Sequence, residues 1–84
     1  MTTQPFDPVQ YKARQLQDWG NVAAGWKQWW KTIERGAQPV SNRLVELAGI
    51  QPGQRVLDVA TGIGEPAVTA ARRVGPTGRV VATD

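Results

Sequence analysis

Val56-Leu57-Asp58-Val59-Ala60-Thr61-Gly62-Ile63-Gly64, with Asp84 twenty residues beyond Gly64, decides the fold of this 84-residue chain. An apolar run leads into a tight glycine turn. A helix-forming stretch follows, and then a second apolar run, residues 79–84, that ends on an acid. This order predicts one β-α-β unit of the kind that binds nucleosides. Glycines let the backbone turn sharply and approach a ligand, and an acid at the end of the second strand meets ribose hydroxyls.

Gly62-Ile63-Gly64-Glu65-Pro66-Ala67 also fits G-x-G-x-x-A, a pattern of dinucleotide-binding proteins. Two neighbours separate the candidate ligands. A dinucleotide rests its pyrophosphate on the N-terminus of the helix after the turn. Glu65 occupies that place, where a carboxylate satisfies the helix as an N-cap and repels phosphate. Asp58 adds a second negative charge beside the turn. The pair suits a ligand without phosphate that carries cationic groups, adenosine joined to a sulfonium and an ammonium, which describes S-adenosylmethionine. The alternatives are an NAD(P)-binding Rossmann fragment and an oligomerisation module that has lost its ligand.

Val56 to Ala67 resembles the first motif of class I S-adenosylmethionine-dependent methyltransferases, with an acid, then small, Gly and Gly at alternate positions. Trp19, Ala23-Ala24-Gly25-Trp26 and the lead-in Leu47-Ala48-Gly49-Ile50-Gln51-Pro52-Gly53 resemble bacterial members near the ubiquinone/menaquinone biosynthesis group. The resemblance implies that Asp58 holds the glycine loop and helps place the methionine ammonium. It lays the backbone of Ala60, Thr61, Gly62 and Gly64 against methionine and ribose, and gives Asp84 both ribose hydroxyls. Glu65 borders this site, and Tyr11 reaches the cofactor (S-adenosylmethionine or S-adenosylhomocysteine) from an N-terminal lid. Ala60 and Thr61 depart from the frequent glycine and cysteine, but both are small. Such an enzyme has a seven-stranded sheet; two strands are encoded here, about the first third. The implied function is cofactor binding without an acceptor site, and no residue is assigned a catalytic role.

Outward from the motif, the expected fold class is α/β: N-terminal helices over residues 1–54, as lid or oligomerisation segment, then a β-α-β cofactor unit over residues 55–84. Asp7-Pro8 starts a helix that Gly36 and Pro39 end. Leu16, Trp19, Ala23, Trp26, Trp30 and Ile33, spaced 3, 4, 3, 4, 3, make one apolar seam that reads as core, with Gly20 and Gly25 as points of bending. Ser41 caps a second short helix closed by Gly49, and residues 51–54 form a turn. Strands are expected at 55–60 and 79–84, the first apolar on both faces, with a helix at 65–74 packing Ala67, Val68, Ala70 and Ala71 on the sheet.

Composition excludes several classes. The chain has no cysteine and no histidine, so disulfides, thiolate metal sites and imidazole bases are absent, and no metal is expected. Residues 1–54 carry six basic and four acidic side chains and residues 55–84 four and three, so the net +3 is spread along the chain. Lys27, Lys31 and Arg35 line one helix side, which reads as a solvated face and not as a nucleic-acid interface. No apolar run spans a membrane and no signal-peptide pattern opens the chain, which makes the expected setting cytoplasmic. Two strands leave open edges and an uncovered face, so the sheet is expected to be completed by self-association, as a homo-oligomer of two or four copies.

Overall fold

The computed structural model describes residues 4–84. Its order is α1 (Pro8–Leu47), β1 (Arg55–Asp58), α2 (Ala67–Val74) and β2 (Arg79–Ala82). Asp7 opens α1 as expected: its Oδ1 accepts from the amides of Val9 at 2.9 Å and Gln10 at 3.3 Å, with proline at the first helical position.

The expected break at Gly36–Pro39 does not occur. Pro39 lies inside one 40-residue helix, and Ser41 is a helix-interior residue, not a cap. A proline inside a helix removes one amide bond and crowds the preceding turn. Here its ring is exposed, so water reaches the freed carbonyl, while Ser41 and Val45 in the next turns are buried against the body. That packing keeps the helix continuous. Gly49, in the left-handed region at φ 66, closes it by donating its amide to Glu46 O at 3.0 Å.

β1 and β2 pair in parallel, with Arg55 opposite Arg79, Val56 opposite Val80, Leu57 opposite Val81 and Asp58 opposite Ala82. Both strands are shorter than the apolar runs suggested. α2 covers one face of this pair with Ala67, Ala70 and Val74, which are buried at a 3, 4 spacing; Val68 and Ala71 turn outward instead of packing on the sheet. Gly78 is the closest crossing. A β-carbon there would meet Val74 Cβ, and Gln54 O at 2.8 Å, so the return from α2 into β2 accommodates only a hydrogen at this point. The other face of the sheet is open. Leu57 is 63% exposed, so β1 is not buried on both sides.

The tryptophan seam is also not core. Trp19 is 60% and Trp29 58% exposed, and Trp26 and Trp30 are exposed as well. The reason is length. The β-α-β unit reaches only the last turns of α1, and the rest of the helix projects beyond it. A compact chain of this size has a radius of gyration of about 12 Å; this one has 16.7 Å, with extents of 55 × 26 × 20 Å. Among the described residues, no helix is long and apolar enough to cross a membrane.

Candidate functional site

Residues 59–64 form a loop at the carboxyl ends of both parallel strands, where open α/β sheets receive ligands. Backbone bonds keep the two chain segments together beyond the strands: Thr83 N donates to Asp58 O at 2.9 Å, and Thr61 N donates to Thr83 O at 2.8 Å. The loop then reverses through three left-handed positions at every second residue, Ala60 (φ 58), Gly62 (φ 60) and Gly64 (φ 109). The alternating small residues of the motif therefore have a conformational cause. Glycine takes such angles freely, whereas the alanine at 60 is strained.

Asp58 organises this loop. It is half-buried at the end of β1, and its Oδ2 accepts from Thr61 Oγ1 at 2.7 Å and from Ala67 N at 3.0 Å. The first bond fixes the turn and the second caps α2, whose own N-cap residue, Pro66, makes no side-chain bond. Both bonds use one oxygen, so Oδ1 faces no donor among the described residues.

Glu65 differs from the sequence reading. Asp58, not Glu65, caps α2, and Glu65 turns toward α1. Its Oε2 accepts from Thr69 Oγ1 at 2.7 Å, and Gln38 Nε2 of α1 donates to that hydroxyl at 2.9 Å and to Asn42 Oδ1 at 2.9 Å. This relay ties both helices to the loop, and sequence reasoning missed it. The only signal was two polar pairs at helical spacing, Gln38 with Asn42 and Glu65 with Thr69, and nothing joined them across thirty residues of chain. Glu65 Oε1 is buried without a hydrogen-bond partner. A buried carboxylate oxygen left so is costly, and a donor arriving there would gain the difference.

Asp84 comes to the same loop. Its Oδ1 accepts from Gly62 N at 3.3 Å while the side chain stays exposed. Asp58, Ala60, Thr61, Gly62, Gly64, Glu65 and Asp84 are thus gathered at one end of the sheet. Tyr11 is not among them. It packs on Phe6, ring centroids 5.4 Å apart, near the start of α1. At 1.5 Å per residue, Tyr11 stands about 40 Å along α1 from Gln38.

The assembled surface has the properties a cationic nucleoside cofactor needs. Asp58 and Asp84 border it, no basic side chain bonds to it among the described residues, and a β-carbon at Gly62 would meet nothing within 4 Å, so the turn is open to a ligand. Among the described residues no cluster of acids, histidines or cysteines could hold a metal ion.

The chain is similar to known methyltransferases. A family model described as protein-L-isoaspartate(D-aspartate) O-methyltransferase matches residues 14–84. The chain is similar to the ubiquinone/menaquinone biosynthesis C-methyltransferase UbiE of Ectopseudomonas oleovorans, 37% identical over 79 residues, covering 92% of this chain and 46% of that protein. The UbiE protein of Pseudomonas putida strain F1 is likewise 37% identical over 79 residues, with 92% of this chain and 31% of the relative covered. That of Hydrogenovibrio crunogenus is 55% identical over 40 residues, 48% of this chain and 16% of its own. No solved structure matches significantly. The chain spans less than half the length of the curated relatives it matches. The family model is named for O-methylation of isoaspartate and the relatives for a C-methylation, so what they share here is methyl transfer and not the acceptor. The glycine loop, its acids and these matches establish that the chain belongs to the class I S-adenosylmethionine-dependent methyltransferases, near the ubiquinone/menaquinone biosynthesis group.

Proposed function

We propose that these residues form the S-adenosylmethionine-binding part of a methyltransferase. The observation that carries it is the meeting of Asp58, a loop with three left-handed positions, and Asp84 at the carboxyl ends of two parallel strands. In this reading the cofactor's ribose hydroxyls donate to Asp84, whose exposed carboxylate already sits against the loop. The methionine portion lies along the backbone of Ala60, Thr61 and Gly62, with Gly64 keeping the second turn clear. The ammonium is met by Asp58 Oδ1, directly or through water, and the orphaned Oε1 of Glu65 supplies a further acceptor. The bound cofactor supplies an electrophilic methyl group. The chain's own residues hold, orient and neutralise it.

The dinucleotide alternative is disfavoured by the same carboxylates. Asp58 occupies the α2 N-terminus, where a pyrophosphate would have to sit. Amide spectra recorded while S-adenosylhomocysteine is titrated test the proposal. The expected result is saturable shifts centred on Gly62, Gly64 and Asp84. Shifts confined to α1, or none in a folded sample, would refute it.

A further inference from the structure

The apolar seam of α1 does not stop where the motif-level reading ended it. Because the helix is continuous through Pro39, the 3, 4 spacing that runs from Leu16 to Ile33 carries on through Ala37, Val40, Leu44 and Leu47. That is a heptad seam over more than four repeats, the pattern of a coiled coil. The opposite side of the helix is polar, with Gln17, Asn21, Gln28 and Arg35. α2 packs beside the seam, against Ser41 and Val45, and leaves Leu16, Trp26, Val40 and Leu47 exposed.

We propose that this seam is covered by α1 of a second copy, running antiparallel, with the two-fold axis passing between Lys31 and Thr32. Size complementarity selects this arrangement. It sets Trp26 against the partner's Ala37, Trp30 against the partner's Ile33, and Trp19 against the partner's Leu44. Every large ring meets a smaller side chain. Trp29, flanking the seam, comes to lie beside the partner's Gly36. A parallel pair would instead stack each tryptophan on its own copy and face alanine with alanine, leaving gaps beside clashes.

Charge selects the same register. Lys27 and Glu34 flank the seam on one side, and neither has an ion-pair partner among the described residues. In the antiparallel register Lys27 falls beside the partner's Glu34, twice by symmetry. Sliding by one heptad in one direction brings Lys27 against the partner's Lys27. Sliding in the other brings Glu34 against the partner's Glu34. Like charges across such an interface disfavour both slips. The interface is self-complementary, as a closed dimer requires. It uses α1 alone, so failure of cofactor binding would leave it standing.

The cysteine-free chain allows a direct test, since single cysteines carry spin labels without background. Arg14 and Gln28 lie two heptads apart on the polar side. With a rise of 1.5 Å per residue, the antiparallel dimer separates the two copies of position 14 by about 52 Å along the axis, and those of position 28 by about 10 Å. Pulsed distance measurements on Arg14→Cys and Gln28→Cys should therefore differ by roughly 30 Å, in a sample that sediments as a dimer at micromolar concentration. Equal distances at both positions, or a monomer, would overturn the proposal. So would a monomer that binds anionic phospholipid vesicles through the seam.

Two variants complete the test. Trp26→Glu, with helicity followed by circular dichroism, should weaken the dimer at least about thirty-fold, as loss of a central aromatic anchor does. Lys27→Glu and Glu34→Lys should each weaken it, and the double exchange should restore it. An exchange that fails to restore dimerisation contradicts the register.

Discussion

At the scale of the residue, Asp58 and Asp84 are both acids at the ends of neighbouring strands, but their surroundings give them different work. Asp58 is half-buried and holds Thr61 and the first amide of α2. Replacing it with alanine leaves that amide and the hydroxyl without their acceptor, and should lower stability by about 1–3 kcal/mol in urea denaturation. Asp84 is exposed, with one long bond to Gly62 N. Asp84→Ala should change stability by less than about 0.5 kcal/mol yet remove cofactor binding. If the two variants are equally destabilised, the division of labour is wrong. Ala60 offers the opposite sign. At φ 58 it holds a conformation that favours glycine, so Ala60→Gly should raise the denaturation midpoint, by about 1 kcal/mol in stability. Much of this was legible in the sequence, because an acid, a small residue and two glycines at alternate positions already describe a loop that turns through left-handed angles. The role of Glu65 was not legible. Its partner, Thr69, is held by Gln38 from a distant helix, and only tertiary structure brings them together.

At the scale of the element, α2 and the two strands form where the reading put them, though the strands are shorter and one sheet face is open, while α1 departs from it further. Gly36 and Pro39 are local stop signals, and local signals are weak beside packing. Ser41 and Val45 anchor the last turns of α1 to the body, and the proline ring finds solvent on the far side. Pro39→Ala then removes a penalty that the packing had been offsetting, so it should stabilise the protein by about 2–3 kcal/mol, with helicity unchanged or higher. A loss of stability on thermal melting would mean that the proline ends the helix in solution. The seam of six apolar residues was visible in the sequence; its continuation to Leu47 depended on the helix not breaking. The same oversight made the tryptophans look like core. Helical periodicity reports a face that seeks cover, but not whether the same chain supplies it.

At the scale of the whole molecule, a small β-α-β body carries a helix far longer than itself. Among the described residues few side chains are buried, Val45, Ala67, Ala70 and Val74 with Ser41, and they sit where α1, α2 and the sheet converge. The ligand loop lies at one end of that body, and it is set by backbone bonds between the strand ends and by Asp58. It therefore does not depend on the projecting part of α1. In the proposed reading, this separation lets one part of the chain hold a cofactor while another presents a surface. The central claim is that these strand ends bind S-adenosylmethionine, and calorimetric titration of the purified chain with S-adenosylhomocysteine tests it most directly, with NAD as the control ligand. The account predicts saturable binding of the first, none comparable of the second, and loss of binding in Asp84→Ala. A folded sample that gives no heat with S-adenosylhomocysteine, or that prefers NAD, would contradict it.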